Sequence, residues 1–345
     1  MLSPSLYCVV LGVGASCLLG VGCSVDSSPF PADGSNAAAA SDALAAILQG
    51  GQLVWQSNRE NGRHEIYLRT LSSPMVTRLT HQGGSHPLWT ADGRWIVYRN
   101  TSTLATHAMR PDGSGDKKIF DGYPLFALWD GRVLCSSSNT YYGPKDNSFF
   151  AVNADSAVTE NLFSRHDFPA LKGDNSGLYP GGITGDGRWM TAWVFGLFGH
   201  GFKAENGLFK AGHATVLIDL KDKKRIYYIG PGCMNATPPN GDLVYHVSRE
   251  GATMPDIWSF KISERATRGY YRVELGNPNE DWGHEYMPRI SNEGQILIYA
   301  ASKGCHSFTT CDYEIFAHRL GASSKERTRL TFNSGNDSYP SLYVR

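Results

Sequence analysis

The sequence has no excess of basic residues, and its first Lys or Arg is Arg59. The 32 Lys and Arg residues are balanced by 32 Asp and Glu residues, so the formal net charge is zero. Nucleic-acid-binding proteins carry a basic excess, so the balanced charge excludes that class. The sequence also lacks a Gly-x-Ser-x-Gly segment with a matching Ser, His and Asp set, so nothing supports serine nucleophile catalysis.

The apolar segment at the N-terminus is too short to span a bilayer comfortably. It runs from Leu6 to Gly22 and fits the hydrophobic part of a signal peptide, predicted over residues 1–23. Residues 19–24, Leu-Gly-Val-Gly-Cys-Ser, resemble a bacterial lipobox, in which Cys23 becomes the lipidated N-terminus. A lipoprotein, a secreted protein and an uncleaved anchor are the three alternatives. Residues 24–51 are rich in Ser, Ala, Gly and Pro, which predicts a flexible tether.

A proline followed by a tight turn recurs along the rest of the chain. In most repeats the turn is Asp-Gly or a close relative. The repeats open with the dipeptides His86-Pro87, Tyr123-Pro124, Tyr179-Pro180, Thr237-Pro238, Met287-Pro288 and Tyr339-Pro340. An internal period of this size indicates a repeat architecture. With 12 % aromatic residues and 38 glycines, the composition fits many short strands joined by tight turns.

Each repeat is predicted to form four β-strands, and the two ends of the chain are predicted to share one repeat. Leu53–Ser57 looks like a second strand that lacks its first, whereas residues 339–344 look like a first strand that lacks its second. Joining them in one sheet removes an open edge. The predicted fold class is therefore all-β. It is a six-bladed β-propeller over residues 52–345, closed by pairing of the N- and C-terminal strands.

The first and last repeats resemble a known family. Residues 55–62, Trp-Gln-Ser-Asn-Arg-Glu-Asn-Gly, are followed by Glu65-Ile66-Tyr67, by Arg78-Leu79-Thr80 and by the turn segment 87–93. The last repeat has Tyr313-Glu314-Ile315-Phe316 and Arg329-Leu330-Thr331. This arrangement resembles the TolB-like β-propeller repeat. The resemblance implies an exported six-bladed propeller, and members of the family serve as protein-docking modules, enzyme domains or envelope lipoproteins.

The long loops of the predicted propeller lie on one face, which we call the loop face. It holds the insertions 139–147, 195–214, 249–255 and 302–312, and loop length concentrated on one face is typical of a binding face. The residues before the prolines are expected nearest the axis, where their rings either stack on sugars and hold peptide side chains or plug the channel. The candidate ligand-binding residues are His86, Tyr123, Tyr179, His284, His306 and Tyr339, with the 195–214 loop as a rim or lid.

A group of His and Cys residues is predicted in blade six. His284 enters the blade, and Cys305, His306 and Cys311 lie in its insertion. Two imidazoles and two thiolates suit tetrahedral zinc or another divalent metal, so these four residues are the candidate metal ligands. A disulfide between Cys305 and Cys311 is the alternative in an oxidising compartment, and two free thiols are the third possibility.

The function predicted from these features is an envelope-tethered binding or assembly module for a protein or a glycan. The alternative is a polysaccharide lyase or a metal-assisted hydrolase that uses a face lined by His86, Tyr179, His284 and Arg165. A structural lipoprotein without a small ligand is a third hypothesis. We expect a location in the cell envelope, or otherwise secretion, and an envelope protein or polysaccharide as partner. We also expect a monomer, no nucleic acid, and membrane contact through the lipid anchor only.

Overall fold

The structure is a computed structural model that describes most of the chain from residue 42 onward. The described residues are 42–60, 62–138, 147–171, 177–195, 203–208, 213–239, 241–248, 255–267, 270–272, 282–305, 307, 310–321 and 327–345. The predicted signal peptide, the candidate lipidation residue Cys23, and His306 lie outside them. Within the described ranges, no helix is long and apolar enough to cross a membrane.

One short helix precedes a succession of short strands. The helix α1 is Asp42–Gln49. The strands are β1 (Gln52–Ser57), β2 (Glu65–Thr70), β3 (Thr77–Arg78), β4 (Gly84–Trp89), β5 (Ile96–Asn100), β6 (Ala105–Met109), β7 (Lys117–Phe120), β8 (Tyr123–Ala127), β9 (Val133–Ser136), β10 (Ser148–Val152), β11 (Thr159–Ser164), β12 (Gly177–Ile183), β13 (Trp189–Phe195), β14 (Lys203–Ala204), β15 (Gly207–Leu208), β16 (Ala214–Asp219), β17 (Ile226–Gly230), β18 (Cys233–Ala236), β19 (Leu243–Ser248), β20 (Asp256–Lys261), β21 (Tyr270–Arg272), β22 (His284–Ile290), β23 (Ile296–Ser302), β24 (Tyr313–Arg319), β25 (Arg327–Arg329) and β26 (Asp337–Tyr343). Three 3-10 turns follow β11 and β20, at Arg165–Asp167, Pro169–Leu171 and Ile262–Glu264.

Within the described residues the strands form six four-stranded antiparallel sheets, which are the blades. Blade one is β26-β1-β2-β3, and blades two to six are β4–β7, β8–β11, β12-β13-β16-β17, β18–β21 and β22–β25. Apolar side chains pack between neighbouring blades, as Trp189 and Tyr227 of blade four do with Val244 and Phe260 of blade five. The prediction of an all-β, six-bladed propeller is confirmed.

Blade one is built from both ends of the chain, as predicted. β26 pairs antiparallel with β1 along its length. The Arg59 guanidinium donates to both carboxylate oxygens of the fully buried Asp337, at 3.1 and 3.0 Å. Gln56 Nε2 donates to Ser338 Oγ at 3.1 Å. The ring closure therefore combines a backbone ladder with a buried charged pair, whose hydrogen bonds are stronger than neutral ones.

A hydroxyl group fixes the turn between the first and second strands in three blades. In blade two the Thr90 hydroxyl donates to Asp92 Oδ1 at 2.6 Å and accepts from the Trp95 N–H at 3.2 Å. Because one side chain satisfies both sides of the turn, the two strands keep their register across it. Two further blades repeat this arrangement, through Thr184 with Asp186 and Trp189, and through Ser291 with Glu293 and Ile296.

The last part of the predicted tether is helical rather than flexible. Helix α1 lies within residues 24–51, and its Leu44 and Leu48 side chains are buried in a core cluster shared by blades one, five and six. A spacing of four residues places both leucines on one face of the helix. The Leu71 N–H donates to the Gly51 carbonyl at 2.8 Å, which ties the end of the segment to blade one. Residues 42–49 of the predicted tether thus form a helix that packs on the propeller.

Candidate functional site

The innermost strands of the blades carry a bulge near the middle of the central channel. In four blades the bulge residue has a positive φ although it is not glycine, with values of 53° at His86, 46° at Met234, 59° at Met287 and 51° at Tyr339. The strand register shifts at each of these bulges. This backbone conformation costs a non-glycine residue roughly 1–3 kcal/mol, so the surrounding packing holds it in place.

The bulges show that the predicted ring of six residues before the prolines is not a ring of equivalent positions. In blades three and four the register shifts only after the proline, so Tyr123 and Tyr179 lie two residues before the unpaired Leu125 and Gly181. In blade five the bulge residue is Met234, whereas Thr237 lies beyond the end of β18. His86, Met287 and Tyr339 therefore lie at bulges, whereas Tyr123, Tyr179 and Thr237 do not.

Side chains at and beside the bulges fill the centre of the channel. The His86 and Tyr339 ring centroids are 3.7 Å apart, and those of His86 and Tyr123 are 5.0 Å apart. The Tyr339 N–H donates to Met287 Sδ at 3.3 Å. Tyr123 and Tyr179 are only 3 % and 5 % exposed, so little of either ring is open to a ligand. These contacts are those of a packed plug, which was one of the two alternatives for these residues.

One cation lies across the channel. Arg289, in the innermost strand of blade six, donates from Nη2 to the Leu125 carbonyl of blade three at 3.0 Å. Arg289 lines two small cavities along the channel, of about 60 Å³ and about 20 Å³. Pockets that bind small molecules usually measure roughly 300–1,000 Å³. Neither cavity is therefore large enough for a sugar unit.

The channel environment keeps His86 neutral. Burial holds the pKa of His86 well below its usual range, and the positive charges of Arg289, Arg99 and His64 lower this pKa further. The sequence reasoning missed Arg289. The available signal was a basic residue directly after Met287-Pro288, inside a strand whose neighbours are apolar.

The blade-six insertion is closed by a disulfide between Cys305 and Cys311, whose Cα atoms are 5.8 Å apart. The Ser302 hydroxyl donates to the Cys305 carbonyl at 2.6 Å, and His284 pairs with Ser302 at the base of the same loop. Sulfurs that are bonded to each other offer no thiolate to a metal. Among the described residues, no group of three or more His, Cys, Asp or Glu side chains is placed to hold a metal ion. His306, the fourth candidate ligand, lies outside the described residues.

Removal of this disulfide is expected to lower the free energy of unfolding by about 2 kcal/mol, as the chain-entropy model gives for a short loop. The double variant Cys305→Ser/Cys311→Ser tests this in urea unfolding, against the wild type with and without reductant. Cys233→Ser is the control, because Cys233 is not in a disulfide. Alkylation of Cys305 and Cys311 in the unreduced protein, read by mass spectrometry, would contradict the prediction.

A surface patch of aromatic and basic side chains adjoins the disulfide loop. It consists of Trp282, Lys303, Arg329 and Phe332, and we call it the blade-six patch. The Trp282 ring contacts two cations, with Lys303 Nζ 5.1 Å and Arg329 Cζ 4.6 Å from its centroid. Arg329 Cζ is also 4.7 Å from the Phe332 ring centroid. Phe332 is 59 % exposed, and no other aromatic side chain in the described part of the chain is so open to solvent.

Buried acceptors hold Arg329 in place. Its Nη2 donates to Glu314 Oε1 at 2.7 Å, and its Nε donates to the Thr331 carbonyl at 2.8 Å. Burial raises the pKa of Glu314 to about 7, although the Thr331 hydrogen bond and the Arg329 charge oppose this rise. Blade one repeats the arrangement with Glu65, Arg78 and Thr80. The Glu, Arg and Thr side chains thus have a structural role in both blades. The two blades differ in the residue that follows the threonine, which is His81 in blade one and Phe332 in blade six.

Comparison with known proteins identifies the fold. No protein family and no curated protein matches this sequence. Among solved structures, TolB from Acinetobacter baumannii matches with a TM-score of 0.57 at 14% identity, over 87% of this chain and 69% of that one. A structure from Agrobacterium tumefaciens assigned as TolB matches with a TM-score of 0.54 at 11% identity, over 86% of this chain and 97% of that one. This chain is a TolB-like propeller. At these identities the likeness concerns the fold alone.

The described part of the 195–214 insertion lies at the rim of the TolB-like propeller. It forms the β14–β15 hairpin, whose Glu205 N–H donates to the Ile226 carbonyl in the outermost strand of blade four at 2.8 Å. The Asn206 side chain donates to the backbone carbonyls of Tyr228 and Arg265, at 2.9 and 2.7 Å. The hairpin thus reaches from blade four to blade five at their outer edges. Residues 196–202 and 209–212 of the predicted lid lie outside the described residues.

Proposed function

We propose that this chain is a tethered binding module of the cell envelope, which contacts a protein or a glycan through the blade-six patch. The exposure of Phe332 is the observation that carries this proposal. Aromatic and arginine side chains are enriched at the centres of binding surfaces, where they supply most of the binding energy. Phe332 has Arg329 beside it and Trp282 next in the patch.

The fixed neighbours of Phe332 favour binding further. Glu314 holds Arg329, and the Cys305–Cys311 bond restrains the loop that carries Lys303. A surface whose side chains are already ordered loses less conformational entropy on binding. The channel offers a weaker alternative, because its two cavities are small and the rings at its centre are packed against each other.

The enzyme hypothesis receives no support from the described contacts. A catalytic base and a neutralising cation must both reach the same substrate. His86 and Tyr179 lie in the channel, whereas Arg165 follows the outermost strand of blade three and donates to the Leu171 carbonyl at 3.1 Å. His284 begins the innermost strand of blade six. The lyase and hydrolase readings therefore stay hypotheses.

Photocrosslinking in cells tests the proposed surface. If the partner is a protein, a photoreactive phenylalanine at position 332 is expected to crosslink to one discrete protein. If the partner is a glycan, the purified chain is expected to bind that glycan on an array. The matched control is position 158, because Val158 is 66 % exposed on a turn at the opposite face. Phe332→Ala should weaken the interaction by about tenfold or more, as loss of a binding hot spot does, and Val158→Ala should leave it unchanged.

Two results would contradict this surface. One is the absence of both a specific adduct at position 332 and a glycan signal. The other is binding that Phe332→Ala does not weaken. The tether is tested separately by fractionation, since Cys23→Ser should move the protein from the membrane to the soluble fraction if lipid chains hold it there.

A further inference from the structure

The seam between blades four and five carries three arginines that converge on two aromatic rings. Trp189 and Tyr227 are almost fully buried, with ring centroids 6.0 Å apart. Arg188 and Arg225 immediately precede the strands that hold these rings, and Arg265 follows the 3-10 turn after β20. We call Arg188, Arg225 and Arg265 the arginine cluster. It lies at the turns opposite the loop face, so it is separate from the blade-six patch.

Arg265 joins the cluster because it contacts both rings. Its Cζ atom is 4.7 Å from the Trp189 centroid and 5.5 Å from the Tyr227 centroid. Arg188 Cζ is 4.8 Å from the Trp189 centroid, and Arg225 Cζ is 5.7 Å from the Tyr227 centroid. The three guanidinium groups thus lie close together on the two buried rings.

Within the described part of the chain, only one of the three cations has a carboxylate partner. Arg188 Nη2 donates to Asp219 Oδ2 at 3.1 Å. Arg225 Nη2 donates to the Tyr227 hydroxyl at 2.6 Å, and Arg265 Nη1 donates to a backbone carbonyl at 3.0 Å. These neutral acceptors take one N–H group each but leave the positive charges uncompensated.

The turn between β16 and β17 adds further positive charge. It reads Lys221-Asp222-Lys223-Lys224-Arg225, and Lys223 pairs with Asp167 at 3.2 Å. Asp222 is the one acidic residue of this turn, and its carboxylate accepts the Lys224 backbone N–H at 3.3 Å. Lys224 is exposed and forms no ion pair with the described residues. Lys224 and Arg225 therefore add positive charge next to Tyr227.

We propose that the arginine cluster binds a phosphate group. A guanidinium presents a planar fork of N–H donors that matches two phosphate oxygens, and Arg225 and Arg265 each keep donors that no described residue uses. Like charges held close together repel each other, and a bound anion replaces that repulsion with attraction. Phosphate offers oxygens on several sides, which suits two guanidiniums and the neighbouring Lys224 better than a planar carboxylate does.

The competing explanation is that the arginines only cover the two rings. Blade two provides a matched example, because Arg110 Cζ is 3.8 Å from the Trp95 centroid. There, however, Arg110 Nη2 is 3.9 Å from Asp155 Oδ1, so the stacked guanidinium has a carboxylate partner, which it shares with Arg94. Arg110→Gln is therefore the matched control for Arg225→Gln and Arg265→Gln.

Calorimetric titration with inorganic phosphate tests the site in the full chain. The protein carries Cys23→Ser so that no lipid is attached, and sodium chloride keeps the ionic strength constant. We expect one phosphate per chain, with Arg225→Gln and Arg265→Gln each weakening binding by about tenfold or more. Arg110→Gln should bind as the parent does. Thermal unfolding without phosphate confirms that each variant is folded. Phosphate binding that neither variant weakens would overturn the proposal.

A second arm distinguishes a soluble phosphate from a lipid headgroup. Sedimentation with vesicles of phosphatidylcholine that contain phosphatidic acid is compared with vesicles of phosphatidylcholine alone. Retention on the first vesicles only, lost in Arg225→Gln/Arg265→Gln, assigns the phosphate to a headgroup. If the protein binds inorganic phosphate in the calorimetric titration but does not sediment with either kind of vesicle, the phosphate group belongs to a soluble ligand. A parent protein that shows neither would overturn the proposal, and the arginines would then only cover the rings.

Discussion

Deletion of residues 338–345 is expected to abolish cooperative unfolding of the propeller. The deletion removes nearly all of β26, which is the innermost strand of blade one and which pairs with β1 there. It leaves the backbone groups of β1 at an open edge and removes the buried Leu342 side chain. A domain is stable by only about 5–15 kcal/mol, so the loss of a strand with its buried side chains is expected to unfold it. Thermal unfolding followed by circular dichroism measures the effect.

Two controls distinguish the loss of ring closure from a general effect of shortening the chain. Deletion of the exposed Arg345 alone should leave the melting temperature close to that of the wild type. A circular permutant that joins Val344 to Gln52 through a short Asp-Gly turn, with new ends opened in the 110–114 turn, should restore cooperative melting. A deletion protein that melts like the wild type would contradict the closed six-bladed ring.

His246→Leu is expected to flatten the loss of stability in acid. His246 is 1 % exposed, and neither ring nitrogen has a hydrogen-bond partner among the described residues. Burial lowers the pKa of His246 to about 3 from 6.5. Below pH 6.5 the His246 imidazole is protonated in the unfolded chain but stays neutral in the folded chain. The free energy of unfolding therefore falls as the pH drops toward 3. The slope approaches about 1.4 kcal/mol per pH unit well below pH 6.5, and the loss between pH 6.5 and pH 4.5 is roughly 2 kcal/mol.

The measurement is the free energy of unfolding in urea at several pH values, compared between variants. Buried carboxylates also contribute to acid sensitivity, so the difference between wild type and His246→Leu isolates the imidazole. The variant should also be at least as stable as the wild type at pH 7.5, because it no longer buries two unsatisfied nitrogens. His81→Leu, at an exposed position, is the control for the substitution itself. Parallel pH profiles for the wild type and His246→Leu would show this account to be wrong.

Much of the fold could be predicted because the signals are local. Alternating apolar residues mark the strands, and the Asp-Gly turns mark their ends, so the predicted strand Leu53–Ser57 differs from the observed β1 by one residue. The residues before the prolines are not equivalent, because the prolines lie at different distances from the Asp-Gly turns. His86 lies six residues before Asp92, whereas Tyr123 lies seven residues before Asp130. Counted from the turn, Pro124 and Pro180 have the position of His86, and in blades three and four the register shifts one residue later.

The candidate surfaces depend on contacts between distant parts of the chain, so the sequence could not reveal them. Trp282 and Arg329 are 47 residues apart in sequence and meet only because blade six brings its entry loop beside its last strand. Arg225 and Arg265 share a ring only because blades four and five pack against each other. A repeat pattern predicts where strands lie within a blade. It does not predict which loop residues of one blade face those of the next.

The closure of blade one also has a consequence for synthesis. Gln56 and Ser338, which bond across the closing strands, are separated by 282 positions. A ribosome therefore finishes nearly the entire polypeptide before β1 can find its partner, and until then β1 offers unpaired backbone groups to any other strand. Long-range pairing of this kind is slow and exposes intermediates to aggregation. We therefore expect the nascent protein to need a chaperone that shields its first strand until the last one emerges.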